Sequence, residues 1–174
     1  MKKNLILIAL FALTAISAQA QRFAYVDSDY ILSNIPEYAE AQKQLDEISK
    51  NWQKEIENKF KEIDQLYKNY QQEQVLFTEE MKKQKQKEIE DKEKAAKELQ
   101  KKRFGYEGDL FQKRQELIKP IQDKMYEAIS KVAGTKGFDV IFDKSSSTTM
   151  LYSNSKLDAS DDVIKQLGYT PKQK

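Results

Sequence analysis

Residues 104–132 read FGYEGDLFQKRQELIKPIQDKMYEAISKV, and in them Phe104, Phe111, Ile118, Met125 and Val132 recur at strict seven-residue intervals. Ile121 and Ala128 occupy the intermediate seam positions that a coiled coil requires, and Leu110 and Leu117 widen the stripe. A half-buried strand would alternate with a period of two instead. The stretch therefore reads as a helix with a coiled-coil seam.

A second block of the same spacing lies upstream. Tyr38, Ala41, Leu45, Ile48 and Trp52 step by three and four, and Ile56, Phe60, Ile63, Tyr67 and Tyr70 continue after a four-residue offset at Trp52. Such an offset is a stutter, where a left-handed supercoil locally unwinds. Between the two blocks the pattern thins to Met81, Ile89, Ala96 and Leu99 while charge takes over, as in Glu88/Lys92, Glu90/Lys94, Glu93/Lys97 and Glu98/Lys102. Each such pair supports an exposed helix by about 0.2–0.5 kcal/mol, so the plain reading of this charge run is a solvated helix face.

Gln74-Val75-Leu76-Phe77 breaks the stripe, and Thr78 followed by Glu79 and Glu80 has the form of an N-cap with acids in the first turn. A reversal there folds the helices into an antiparallel hairpin, with an ascending helix over 36–75, a tip at 76–79 and a descending helix over 80–134. Pro36 suits the first turn of the ascending helix, Gly134 and Gly137 suit the end of the descending one, and Pro120 predicts a kink or break inside it.

The flanks carry strands. Arg22 to Asp27 is one candidate, within a first strand and connection over 21–35. Asp139 to Asp143 and Thr149 to Tyr152 are two more, expected as a hairpin around Ser145 to Ser147. Ser160 is placed to cap a final helix that ends at Gly168, completing a body segment over 137–170, with 171–174 a frayed tail. Phe23 and Tyr25 share one strand face and Val140 and Phe142 another, with Ile141 opposite. Together with Met150 and Tyr152 these are the candidates for body core or subunit interface.

Three short strands cannot form an independently stable core. Self-assembly would cover both the small core and the open strand edges. The fold class expected is α+β, mostly α, with a long antiparallel coiled-coil hairpin projecting from a small β body that several chains build together.

Lys2 and Lys3, an apolar run from Leu5 to Ile16 and the small-x-small Ala18-Gln19-Ala20 mark residues 1–20 as a secretory signal cleaved before Gln21. Two of the 30 basic residues belong to it, leaving 28 against 28 acids in the mature chain. A balanced charge argues against nucleic acid as a partner. The chain has no Cys and no His, which removes disulfides, thiolate chemistry and the usual general base, and no metal or cofactor is expected. Asp27, Asp139 and Asp143 are the acids suggestively placed on strands, but no nucleophile or anion-binding turn accompanies them, so no enzyme activity is expected.

With these features in order, the mature chain resembles the Skp (OmpH-like) family of periplasmic chaperones for outer-membrane proteins. The resemblance rests on Phe23-Ala24-Tyr25-Val26-Asp27 after the signal, the long charged hairpin, Gly137-Phe138-Asp139-Val140-Ile141-Phe142-Asp143-Lys144, and Ser160-Asp161-Asp162-Val163-Ile164-Lys165-Gln166-Leu167 near the end. It implies a homotrimer whose short sheets join into a body and whose three hairpins surround a cavity. There, unfolded outer-membrane proteins would be held in the periplasm without ATP until insertion. The best-known members have markedly basic arms, whereas acids and bases balance between Glu37 and Arg103 here.

Trp52, Phe60, Tyr67, Tyr70, Leu76, Phe77 and Met81 are the candidate client-contacting residues, because the seam thins toward the tip and a holding protein needs sparse exposed apolar groups. Lys82, Lys83, Lys85 and Lys87 form a basic cluster that could touch anionic lipid weakly, although Glu79, Glu80 and Glu88 flank it. The competing expectation is a structural coiled-coil scaffold of the envelope, which would keep its seam tight to the tip.

Overall fold

The computed structural model describes residues 21–146 and 150–172; the signal expected over 1–20 lies outside them. The elements run β1 (Phe23–Val26), α1 (Ser28–Ser33), α2 (Pro36–Glu73), a 3-10 turn (Gln74–Leu76), α3 (Glu79–Phe104), α4 (Asp109–Lys136), β2 (Val140–Asp143), a second 3-10 turn (Ser155–Leu157) and α5 (Ser160–Gln166). The described residues divide into two compact units, one over 35–125 and the other of residues before 35 and after 125.

The unit over 35–125 is the helical hairpin. α2 opens with Pro at N1 and runs 38 residues without interruption, about 57 Å at ~1.5 Å per residue. Thr78 caps α3 by accepting a hydrogen bond from the Met81 amide at 3.3 Å, with Glu79 and Glu80 in the first turn. Gln86 Nε2 donates to the Tyr70 hydroxyl, Lys92 pairs with Glu62, and Phe104 meets Trp52. As one limb's numbers rise the other's fall, so α2 and α3 are antiparallel. Two apolar clusters hold the hairpin. Ala41, Leu45 and Ile118 gather Tyr38, Leu110, Leu117 and Ile121, and further along Ile63, Ile89 and Ala96 gather Phe60, Leu66 and Tyr70.

The descending limb is two helices, not the single helix expected over 80–134. The interruption falls at Gly105–Gly108, and α4 passes through Pro120 without ending. Pro120 sits on an exposed side, where a carbonyl that loses its helical amide can turn to water. At the interruption a Cβ on Gly105 would collide with the Lys101 carbonyl oxygen, and one on Gly108 would lie 2.7 Å from the Lys102 carbonyl oxygen. The strict heptad from Phe104 to Phe111 therefore spans a break. Ile118 and Met125 are buried, whereas Phe111 is exposed.

In the other unit β1 and β2 pair in parallel, with Phe23 opposite Val140, Ala24 opposite Ile141, Tyr25 opposite Phe142 and Val26 opposite Asp143. This replaces the expected hairpin of Asp139–Asp143 with Thr149–Tyr152. Residues 147–149 lie outside the described part, Met150 to Asn154 are not strand, and the far side of β1 bridges Asp158 instead, with the Ala159 amide donating to the Tyr25 carbonyl at 2.8 Å. α1, within the segment expected as a connection, starts at an N-cap where Asp27 accepts from the Tyr30 amide. It packs on α5 and brings Ile31 and Leu32 to the same buried interior as Val163 and Ile164. Ser160 is not the cap of α5. That position is Ala159, and the buried Ser160 hydroxyl accepts from the Asp27 amide and donates to Asp158.

Gly137 and Gly168, at φ of 68° and 89°, follow α4 and α5 in the left-handed conformation that ends helices, while Gly134 is inside α4. The tail is tied down as far as Lys172. Its amide donates to Asn34 Oδ1, its carbonyl accepts from the Tyr30 hydroxyl, and its ammonium reaches the Ser33 carbonyl. Among the described residues, no helix is long and apolar enough to cross a membrane.

Candidate functional site

The seven aromatic and apolar residues singled out along the arm fall into two groups. Phe60 and Tyr70 pack against the Ile63–Ile89–Ala96 cluster. Phe77 folds back on Tyr70, with ring centroids 6.3 Å apart. Trp52 meets Phe104 edge to face at 6.4 Å and lies under the Arg103 guanidinium, 4.5 Å from its ring centroid. These four belong to the hairpin's own seam. Tyr67, Leu76 and Met81 do not: Leu76 is 81% exposed, and Tyr67 and Met81 are about half exposed.

The 3-10 turn explains the exposure at the tip. It rotates Val75 and Leu76 off the seam side of α2 while leaving Phe77 against Tyr70, so two aliphatic side chains stand in water at the reversal. Val75, 83% exposed, belongs with them. Beside the tip, Lys82 pairs with Glu79 and Lys85 with Glu88, so half of the basic cluster already has acidic partners. The Glu79 carboxylate, through its hydrogen bond and its charge, raises the Lys82 pKa above the ordinary value. Along the limbs Glu62 and Lys92 stabilise each other's charged forms in the same way, first by their hydrogen bond. All of these pairs are exposed and screened by salt.

Inside α3 only Ile89 and Ala96, one heptad apart, are buried. One face of this helix presents Glu90, Glu93, Lys94, Lys97, Glu98 and Lys101, three acids and three bases. The limb is therefore held by a narrow apolar line and presents a mixed-charge surface.

The body candidates also divide. Tyr25 is buried and Ile141 and Met150 half-buried, whereas Phe23, Val140 and Phe142 are each more than two-fifths exposed and Tyr152 is 84% exposed. The parallel register places Phe23, Val140, Tyr25 and Phe142 on one side of the sheet, and Phe23 stacks on Phe142 at 6.3 Å. Three apolar side chains on that side are left open to water.

Sequence reasoning missed Tyr106 and Arg103. Tyr106, 96% exposed, stands between Gly105 and Gly108, and Arg103 bridges from the end of α3 to Asp109 at the start of α4. The available signal was the Gly-x-x-Gly spacing itself, in a chain with five glycines in all. No group of acidic side chains among the described residues is arranged to hold a metal ion.

An antiparallel helical hairpin with a two-stranded parallel sheet from its flanking segments defines a mostly helical α+β protein built around one long coiled-coil reversal. The family model described as Outer membrane protein (OmpH-like) matches residues 22–167, and the chain belongs to that family. Among solved structures it is similar to that of a proposed outer membrane chaperone (OmpH-like) from Caulobacter crescentus CB15. The two are 14% identical with a TM-score of 0.68, over 87% of this chain and 86% of that one. No curated protein matches the sequence.

Proposed function

We propose that the protein is an ATP-independent periplasmic holding chaperone, one that binds unfolded outer-membrane proteins and keeps them from aggregating before insertion. The observation that carries this reading is the outer hairpin, where Val75, Leu76, Tyr67 and Met81 face water on limbs joined by a narrow apolar line. Scattered apolar groups of this kind can each make a weak contact with an unfolded chain, and the balanced charges around them keep the complex soluble. A rigid spacer has no use for aliphatic side chains exposed at its far end. Membership of the OmpH-like family and the chaperone description of the Caulobacter protein support the same reading.

The working form is a homotrimer. Phe23, Val140 and Phe142 offer an apolar sheet face that further copies would cover, at a sheet edge that a strand from another chain could extend. Contact with anionic lipid through Lys83 and Lys87 is a weaker, salt-sensitive addition.

The test is suppression of aggregation of a urea-unfolded β-barrel outer-membrane protein on dilution. The unaltered protein is expected to keep it in solution. Val75→Ser combined with Leu76→Ser and Met81→Ser is expected to lose most of that protection at unchanged helix content. Full protection by the triple variant would remove the tip from the mechanism.

A further inference from the structure

Within the hairpin unit, the two segments of the descending limb meet at a joint built around one side chain. Arg103 lies in the last turn of α3, and its Nη1 donates to Asp109 Oδ2 at 2.6 Å, across the interruption. Its Nη2 lies 3.8 Å from Glu55 of α2, and its planar face covers Trp52 of the same helix. One guanidinium thus touches α2, α3 and α4, and among the described residues its buried Nε has no hydrogen-bond partner.

The backbone beneath it is discontinuous. The Gly105 amide closes α3 on the Lys101 carbonyl, the Gly108 amide bonds to the Gly105 carbonyl, and the Gln112 amide begins α4 from the Gly108 carbonyl. Glu107 between them has a φ of 53°, rare for a residue with a side chain. Beside the joint, Phe104, Gly105, Leu110, Phe111 and Arg114 line an open recess of about 190 Å3. No residue of α2 lines this recess, so it is the descending limb itself that is underpacked at the joint, which lies between the two apolar clusters.

We infer that residues 105–108 are a hinge in the descending limb, and that Arg103 is the latch that holds it closed against Trp52. Opening withdraws the guanidinium from the indole and from Asp109 without breaking either apolar cluster. Closure relies on two partly exposed ion pairs and a cation–π contact, so ionic strength tunes the joint. An unbroken helix pair would show no such sensitivity at one point along its length.

Trp52 is the sole tryptophan, so its fluorescence reads the latch directly, with no client present. In the full mature protein, acrylamide quenching of Trp52 should rise about two-fold between low salt and about 1 M NaCl, where the screening length falls to ~3 Å. Helix content by circular dichroism should stay constant. Arg103→Lys should already give the high-salt quenching at low salt, because an ammonium cannot both lie flat on an indole and fork to a carboxylate. Asp109→Asn should do so in part. Lys85→Gln, which breaks an exposed pair near the tip, should leave Trp52 unchanged. If Arg103→Lys lowers helix content, Asp109→Asn decides in its place. Quenching that is independent of salt in the unaltered protein, or unaltered at low salt in these variants, would overturn the latch.

Discussion

At the scale of single residues, position in the fold decides what each side chain does. Trp52, Phe60 and Tyr67 look alike in the sequence, all at helical spacing, yet Trp52 and Phe60 are packed and Tyr67 stands half in water. Ile164 is fully buried in α5. Ile164→Ala should therefore cost about 2–5 kcal/mol of stability, read from urea unfolding followed by circular dichroism. Asp143 makes a different case. Burial pushes its carboxyl pKa up, but the Ser28 and Ser145 hydroxyls and the backbone amides of both residues outweigh that and hold it below the ordinary 3.8. A depressed folded value means that the carboxylate's stabilisation is present above 3.8 and is lost as the pH falls through the folded pKa. Asp143→Asn should be less stable than the unaltered protein at neutral pH and should lose less stability on acidification below 3.8, as urea midpoints at several pH values would show.

At the scale of elements, the heptad count located the helices but counted through a break. A seven-residue interval is indifferent to what lies between its ends, and the Gly105 and Gly108 pair mattered more than the apolar residues at 104 and 111. Pro120 carried the opposite lesson, since α4 accommodates it. A proline in a helix interior removes one backbone hydrogen bond and costs up to ~3 kcal/mol relative to alanine. Pro120→Ala, which restores the amide facing the Glu116 carbonyl, should raise stability by an amount up to that figure. A thermal melt that did not move, or that fell, would mean that α4 is not continuous at this point. Capping was legible where it is local: Pro36 and Thr78 stand where their chemistry demands. Ser160 is the exception, because its hydroxyl is engaged by Asp27 and Asp158 instead of the first turn of its helix.

At the scale of the whole molecule, the expectation that one chain has too little interior of its own meets a mixed result. α1 and α5 bury Ile31, Leu32, Val163 and Ile164 within a single chain. The sheet nonetheless leaves Phe23, Val140 and Phe142 open, and an apolar face on a two-stranded sheet is a poor end state in water. The trimer proposal predicts a solution mass of three chains by light scattering. Phe142→Asp should shift that mass toward the single chain while leaving the helical signal largely intact. A monomeric mass for the unaltered protein across the micromolar range would contradict the proposal.

The helical periodicity of the arm, its direction reversal and the helix-ending glycines 137 and 168 were determined by the sequence alone, because periodicity and end chemistry act over a few residues, whereas the break of the descending limb into two helices was not. The pairing of β1 with β2 was decided only in three dimensions. The Arg22 amide meets the Asp139 carboxylate across 117 positions of chain, and no local pattern distinguishes a parallel partner that far away from a hairpin partner a few residues on. The same holds for the exposed tip and the Arg103 joint. Whether an apolar or charged side chain is covered depends on what the opposite limb places beside it, and a contact between limbs is a property of the fold, not of either stretch of sequence.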